Sequence, residues 1–228
     1  MSRVLAGPFL YGLWRPEITG SEHIPSSGGA ILASNHLSIV DSIFLPLMVS
    51  RPVTFAAKSE YFTGTRLLDK VTSTYLRATG QLSVDRAGAR AGQDMLASAL
   101  GLLRHGALFG IYPEGTRSPD GRLYRGRTGV GWLALNSRVP VIPVAMVGTG
   151  RVLPPGHRIP RFRKIRIRIG EPLTFDGYER TGARERRAVT DEVMKAIQAL
   201  SGQEYVPMYA SVRKEELAAD RSRLRRAS

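Results

Sequence analysis

The sequence predicts an α/β fold: a single domain with a mixed, mostly parallel sheet flanked by helices. Strand-like apolar runs recur along the chain, and stretches with helical spacing separate most of them, which is the pattern of parallel strands joined by crossover helices. The length of 228 residues and the apolar fraction of 43% suit one globular domain, and no internal repeat divides it. The predicted strands are GAILAS, VTFAA, QLSV, ALFGIYP, VPVIPVAMV and IRIRIG.

Two packing helices are predicted from apolar periodicity, over residues 183 to about 200 and residues 89 to about 103. Gly202 and Gly106 mark their ends, since glycine is the common residue just past a helix. The apolar stripe of the first is Val189, Val193, Ile197 and Leu200, and that of the second is Leu96, Leu100 and Leu103.

The two ends of the chain differ in character. Residues 1–15 hold an apolar stretch that is shorter than the roughly twenty residues of a membrane-spanning helix, and Pro8 disfavours a signal peptide. Two interpretations of this segment stay open: a first helix docked on the core, or an interfacial helix in the headgroup region of a membrane. Residues 205–228 are charged and poor in large apolar residues, which predicts a solvated helix or tail.

The composition limits the partners of the chain. A formal net charge of +14 indicates an anionic partner. The candidates are nucleic acid, an anionic membrane surface and phosphorylated small molecules. Cysteine is absent, so disulfides and thiolate metal sites are excluded. We expect no metal and no cofactor, because the four histidines lack the spacing of metal ligands. They are His23, His36, His105 and His157.

A group of polar residues, NHLSIVDS, follows the first predicted strand and contains His36 and Asp41. Five residues on a regular helix turn through about 140°, so the two side chains pair only if LSIV is a turn and a helix begins near Asp41. A carboxylate on one ring nitrogen would fix the tautomer and leave the other nitrogen as a general base. No G-x-S-x-G elbow is present, so a nucleophile would belong to the substrate. From this stretch alone, a structural loop histidine is the favoured interpretation.

Three other predicted strands also end in polar residues. In YPEGTRS, Gly115 permits close backbone approach, nearby amides are candidates for oxyanion contacts, and Arg117 offers a fork for a phosphate. Arg86, after QLSV, would make a two-arginine phosphate clamp with Arg117, and Lys58, after VTFAA, would add a third positive charge. A turn or a surface ion pair, such as Asp85 with Arg86, is the alternative for each.

Four short motifs, taken in their order along the chain, resemble those of the glycerolipid acyltransferases, specifically the bacterial 1-acylglycerol-3-phosphate acyltransferase family. The motifs are N-H-x4-D, G-x-L-x-V-D-R, P-E-G-T-R-S and V-P-V-I-P-V, and they cover residues 35–144. Each motif is weak alone, but the order and the intervals of all four are typical of the family. The resemblance therefore reverses the preference at His36 in favour of catalysis.

The resemblance implies transfer of a fatty acyl group from acyl-CoA or acyl carrier protein to a hydroxyl of glycerol 3-phosphate or lysophosphatidate, in phospholipid biosynthesis. It implies that His36 and Asp41 form the catalytic dyad. The substrate-binding residues that it implies are Lys58, Arg86, Glu114, Gly115, Thr116 and Arg117. It also implies acyl-chain contacts for Val141, Ile142 and Pro143, which a buried strand explains equally well.

Three features of the sequence suggest other interpretations. Tyr112 replaces the usual Phe, a mild change, whereas Ser83 replaces a common aromatic and keeps open the same chemistry on another lysolipid or an aminolipid. The charge and the run RFRKIRIRI suggest a nucleic-acid-binding module, but the basic residues alternate with isoleucine and aromatics are sparse, so no nucleic acid is expected. GVGWLA fits G-x-G-x-x-A but lacks a preceding strand, so we expect tight packing there and no dinucleotide site.

A peripheral contact with the cytoplasmic face of a membrane is also expected, because acylated substrates partition into bilayers. The alternation in KIRIRIG places the isoleucines on one face of a strand and the arginines on the other. The isoleucine face then packs on the core or meets the membrane. The apolar residues proposed for the contact are Leu5, Phe9, Leu10, Leu13 and Trp14, and the basic ones are Arg161, Arg163, Lys164, Arg166 and Arg168.

Overall fold

A computed structural model describes residues 11–58, 74, 81–84, 91–154, 157 and 159–227. The strands are β1 Glu17–Thr19, β2 Ala30–Ser34, β3 Val53–Lys58, β4 Leu82–Val84, β5 Leu108–Ile111, β6 Leu123–Tyr124, β7 Val141–Val147, β8 Arg166–Ile169 and β9 Tyr205–Val206. The helices are α1 Asp41–Met48, α2 Ala91–Arg104, α3 Gly129–Ser137, α4 Thr149–Val152, α5 Ala183–Ser201 and α6 Ala210–Ala227. A helical turn also lies at residues 11–14.

Seven strands form one sheet in the order β1-β8-β7-β2-β5-β3-β4, and β6 pairs with β9. Within the large sheet every neighbouring pair is parallel except β7 and β8. The predicted mixed, mostly parallel α/β sheet is therefore confirmed. Because β2, β3, β4, β5 and β7 run in one direction, the segments that follow them leave the sheet at the same edge, where ligands bind in open α/β sheets.

The core lies on both faces of the sheet. In β2, Leu32 packs with Phe44 of α1 in one cluster, and Ile31 packs with residues of α2, α3 and α5 in the other. All five residues of β2 are buried, as expected for a central strand covered on both sides. In β8, Ile167 and Ile169 are also buried while Arg166 and Arg168 are exposed, so the isoleucine face packs on the core.

All six strands predicted from apolar runs are present, and so are both predicted helices. Helix α5 is capped by Gly202, whose φ of 68° lies in the left-handed region that glycine favours. Gly131 in GVGWLA does serve tight packing, because a Cβ there would lie 2.2 Å from the carbonyl oxygen of Arg186 in α5. Among the described residues, no helix combines the length and apolarity needed to cross a membrane.

Candidate active site

The residues between β2 and α1 form the turn predicted for LSIV, and α1 begins at Asp41. Oδ2 of Asp41 accepts three hydrogen bonds: from Nδ1 of His36 at 2.9 Å, from the N–H of Leu37 at 2.7 Å and from the N–H of Ser38 at 2.8 Å. The turn therefore folds the carboxylate back under the imidazole ring. The two backbone donors hold Oδ2 in place, and Oδ2 in turn orients the ring.

Asp41 is fully buried, and its Oδ1 has no hydrogen-bond partner among the described residues. Its position in the first turn of α1 places the carboxylate at the positive end of the helix dipole. Because Nδ1 of His36 donates to Asp41, the lone pair of the neutral ring is on Nε2. In the described part of the chain, Nε2 has no partner, and the His36 side chain is 16% exposed. The ring can therefore receive a proton from a bound molecule.

One face of the His36 ring is covered by Tyr112. The ring centroids lie 3.8 Å apart and the planes differ by 9°. Tyr112 also stacks on Phe55 at 5.3 Å, and its hydroxyl shares a hydrogen bond of 2.9 Å with Oγ of Ser42. The ring of His36 is thus fixed by an aromatic face and by the Asp41 carboxylate at its edge.

Residues 112–118, which follow β5, also hold the backbone of His36. The N–H of His36 donates to Oε1 of Glu114 at 3.1 Å, and its carbonyl accepts from the N–H of Ser118 at 2.7 Å. Oε2 of Glu114 accepts from the N–H of Tyr124 at 2.9 Å. This segment, called the 112–118 loop below, therefore contacts the ring, the amide and the carbonyl of His36.

Glu114 is 1% exposed, and backbone donors occupy both of its carboxyl oxygens. Burial raises its pKa to about 7, although the two backbone hydrogen bonds act in the opposite direction. The substrate-binding role implied for Glu114 thus has almost no exposed surface to act through. In this structure the side chain positions His36 and links it to β6.

The next three residues of the loop face different surroundings. Gly115 has a φ of 71°, and its N–H donates to the carbonyl of Tyr112 at 2.9 Å. This amide is therefore engaged in a turn, and oxyanion contacts by other amides near Gly115 stay a prediction. Oγ1 of Thr116 accepts a hydrogen bond from Nζ of Lys214 in α6, and the Arg117 side chain is exposed.

The remaining predicted site residues are distributed as follows. Lys58 ends β3 at the same edge of the sheet as His36, and Arg86 lies outside the described residues, so the phosphate clamp with Arg117 stays a prediction. Val141, Ile142 and Pro143 are buried in β7, with the first two packed on opposite faces of the sheet. They belong to the sheet core, and their contact with an acyl chain stays a prediction.

Several residues that hold the site were not identified as site residues from the sequence. Asn35 accepts from the N–H of Met146 at 2.7 Å, and its amide donates to the carbonyl of Met146 and to Oε1 of Gln203. It extends the β2–β7 pairing by one residue. Its position as the first residue of the N-H-x4-D motif is the sequence feature that could have identified it. No sequence feature distinguishes Lys214, because it lies among the many charged residues of α6.

The chain matches known proteins over most of its length. The model of the family described as Acyltransferase matches residues 15–147. The chain is 30% identical over 175 residues to 1-acyl-sn-glycerol-3-phosphate acyltransferase BAT2, chloroplastic, of Brassica napus, which covers 76% of this chain and 49% of that protein. It is 27% identical over 180 residues to the 1-acyl-sn-glycerol-3-phosphate acyltransferase of Bacillus subtilis (strain 168), with 78% and 83% covered.

A solved structure is also similar. The crystal structure of the 1-acyl-sn-glycerophosphate (LPA) acyltransferase PlsC from Thermotoga maritima superimposes with a TM-score of 0.63 at 26% identity, and covers 87% of this chain and 81% of that one. The chain spans about half the length of the first curated relatives that it matches.

Proposed function

Because the chain belongs to the Acyltransferase family, whose model matches residues 15–147, we propose that it transfers a fatty acyl group from a thioester to a hydroxyl of a glycerol-3-phosphate-type acceptor. The donor is acyl-CoA or acyl carrier protein, and the acceptor is a lysophosphatidate or glycerol 3-phosphate. The observation that carries the proposal is the 2.9 Å contact between His36 Nδ1 and Asp41 Oδ2, which leaves Nε2 available as a base. The names of the similar proteins support the acceptor class.

In the proposed reaction, Nε2 of His36 takes the proton of the acceptor hydroxyl as the oxygen attacks the thioester carbonyl. The carbon–sulfur bond then breaks, and the leaving thiolate recovers the proton from the imidazolium. Asp41 stabilises the imidazolium by its negative charge, and the face of Tyr112 adds a cation–π contact. No acyl-enzyme is required, since the nucleophile belongs to the acceptor.

Peripheral membrane attachment is part of the proposal, and two exposed side chains support it. Ile159 is 81% exposed and Phe162 is 64% exposed, and the exposed Arg161 and Arg163 flank Phe162. An apolar and basic surface of this kind fits a membrane with anionic lipids, where each basic residue near the surface contributes about 1 kcal/mol.

This surface is connected to the candidate active site through Trp14. The Trp14 ring packs on Phe162 at 5.2 Å and edge-on against Phe44 of α1 at 6.0 Å, and its Nε1–H donates to the carbonyl of Arg161 at 3.0 Å. The same helix begins with Asp41, so membrane contact and catalysis would share α1.

Three of the basic residues expected at the membrane have partners within the protein. Arg166 and Lys164 both pair with Glu17. Arg168 donates to the carbonyl of Leu200 at 2.8 Å. These contacts tie the three side chains to neighbouring parts of the protein, which moves the proposed contact to Arg161 and Arg163. Leu5, Phe9 and Leu10 lie outside the described residues.

The test of the proposed function is a direct assay of acceptors. The pure protein is incubated with palmitoyl-CoA and, in separate reactions, glycerol 3-phosphate, 1-acylglycerol 3-phosphate, 2-acylglycerol 3-phosphate, a lysophospholipid with a larger headgroup and an aminolipid. Thiol release gives the rate, and mass spectrometry identifies the acylated position. Turnover confined to the last two acceptors would replace the proposed acceptor, and absence of thiol release with every acceptor would contradict the acyl transfer from CoA.

A further inference from the structure

Helix α6 contacts the loop that holds His36. Nζ of Lys214 donates to Oγ1 of Thr116 at 2.5 Å, and this contact joins residues 98 positions apart in the sequence. Thr116 is two residues from Glu114, whose carboxylate accepts a hydrogen bond from the N–H of His36. Lys214 therefore contacts the loop that holds the proposed catalytic base, although neither the four motifs nor the family match extends to α6.

Three cationic side chains lie in this region: Lys214 itself, Arg117 and Arg127. The side chain of Arg127 packs against Gly115, where a Cβ would lie 3.0 Å from Arg127 Cδ, and its guanidinium donates to Oγ of Ser211 at 3.2 Å. Within the described part of the chain, none of the three cations pairs with a carboxylate. Other cations of the protein do form such pairs.

The contrast is clear in neighbouring residues. Arg122 pairs with Asp120 at 2.7 Å, and Arg187 pairs with Asp191. Lys214 has no such carboxylate partner in the described part of the chain. Its burial and the positive charge of Arg117 lower its pKa, and the charge of Glu114 only partly opposes this shift. Both effects disfavour the charged ammonium in the free protein, and a bound anion would offset them.

We propose that Lys214 of α6, together with Arg127, is a further phosphate-binding residue of the acceptor site, beside Thr116 and Arg117, whose role the motif resemblance already implies. These four side chains form the subsite for the acceptor phosphate. The inference rests on the proposed acyl transfer and names the residues that would select its substrate. Two forked guanidinium groups and a compact ammonium are the groups that proteins use to bind phosphate. The helix outside the matched family segment thus completes the acceptor site.

Two phosphate sources have the same chemistry: the acceptor and the 3′-phosphate of acyl-CoA. The attacked hydroxyl and the acceptor phosphate belong to one glycerol, so the phosphate must bind close to His36. In acyl-CoA the whole pantetheine arm separates the thioester from the phosphates. Because Thr116 belongs to the loop that holds His36, the geometry favours the acceptor.

Steady-state kinetics tests the subsite with palmitoyl-CoA and 1-acylglycerol 3-phosphate. Lys214→Met removes the charge, Lys214→Gln keeps a donor for Thr116, and Lys195→Met, at an exposed position of α5, is the matched control. Loss of one charge-assisted contact should raise the acceptor KM roughly 10- to 100-fold in both Lys214 variants. The donor KM and the control should be unchanged. An unchanged acceptor KM, or a rise in the donor KM alone, would overturn the assignment.

A binding measurement separates this inference from the proposed function. Glycerol 3-phosphate should raise the Tm of the wild type and of Lys195→Met, because a ligand that binds only the folded state stabilises it, and should raise it much less in Lys214→Met. If the wild type shows this stabilisation but no turnover, the subsite stands and the acyl transfer fails. If turnover is present and all three proteins respond equally, the subsite is contradicted.

Discussion

Tyr112 and His36 lie face to face, with ring centroids 3.8 Å apart and planes 9° from parallel. The tyrosine is itself held by Phe55 and by the hydroxyl of Ser42. The plane of the imidazole is therefore set before any substrate binds. Pre-set geometry of this kind lowers the entropic cost of reaching the reactive arrangement.

Changes at Tyr112 separate the stack from the hydroxyl contact. Tyr112→Phe keeps the stack and loses one hydrogen bond, worth about 0.5–1.5 kcal/mol, so we expect kcat within roughly tenfold of the wild type. Tyr112→Leu also loses the aromatic pair, and kcat should fall by a further factor of about 2 to 10. Equal rates for the two variants would show that the stack does not contribute. Thiol release under saturating substrates measures kcat.

His36→Ala should abolish nearly all turnover in a protein that stays folded. Removal of a general base typically costs about 10²- to 10⁴-fold in rate. The matched control is His105→Ala, because His105 is exposed and its ring contacts only the carbonyl of Gly101 among the described residues. Circular dichroism and Tm establish that both variants are folded. Retention of more than about a tenth of the wild-type kcat by His36→Ala would exclude the base assignment.

Asp41→Asn should act through charge and leave the tautomer of His36 intact. The N–H groups of Leu37 and Ser38 point at Oδ2, so an asparagine would place its oxygen there and still accept from Nδ1 of His36. What it loses is the negative charge, and an opposite charge at this distance typically stabilises an ion by about 1.4–4 kcal/mol. We expect kcat to fall about 10- to 1,000-fold. NMR of the imidazole nitrogens reports the tautomer, and a switch of the proton to Nε2 would contradict this account.

Glu114 should make the stability of the protein depend on pH. Its pKa rises from 4.5 to about 7 on burial, so between these values the folded state binds a proton that the unfolded state does not. Its contribution to stability is therefore fully present below pH 4.5 and is lost as the pH rises through about 7. Over this range the wild type should lose about 3 kcal/mol of unfolding free energy relative to Glu114→Gln, at about 1.4 kcal/mol per pKa unit.

Urea unfolding at a series of pH values measures this difference. Glu114→Gln leaves one backbone N–H without a good acceptor at every pH, so the slope with pH is the informative quantity and the absolute stability is not. Glu192→Gln is the matched control, because Glu192 is exposed on α5. If wild type, Glu192→Gln and Glu114→Gln all show the same slope, the shift at Glu114 is contradicted.

Membrane attachment should depend on the exposed residues before β8. Burial of a large apolar side chain contributes about 1.5–3 kcal/mol, so Phe162→Ser and Ile159→Ser should each weaken vesicle binding at least about tenfold. Flotation with phosphatidylcholine vesicles, with and without phosphatidylglycerol, at two salt concentrations measures the binding. Val212→Ser is the control, because Val212 is 41% exposed on α6. Vesicle binding that is unchanged by both substitutions, by lipid charge and by salt would contradict the proposal.

Much of the fold was predictable because its main strands are long apolar runs with strong local signals. β1, β6 and β9 were missed, since two or three residues are too few to show a period. The His36–Asp41 contact was predicted from the resemblance carried by the four motifs. The stretch NHLSIVDS alone favoured a structural loop histidine, because helical spacing places the two side chains about 140° apart.

The roles of Glu114 and Lys214 were not predictable in the same way. Glu114 appears in the sequence as a carboxylate in a polar turn, and its burial and backbone donors come from β2 and β6. Lys214 depends on a contact across 98 residues, which no local pattern reports. Residues whose function depends on distant packing carry no period, cap or spacing of their own.

The contacts between the 112–118 loop and His36 have a consequence for how the protein folds. Glu114 and His36 are 78 positions apart, and their hydrogen bond can form only after β2 and β5 have paired in parallel. Parallel pairing across such a separation is slow to nucleate, because the loop must close before any contact stabilises it. The contact between His36 and Asp41, by contrast, spans 5 positions and closes only a short loop. In a refolding experiment, activity should therefore return only as fast as β2 and β5 pair. The rate at which activity returns then measures the rate of this late folding step.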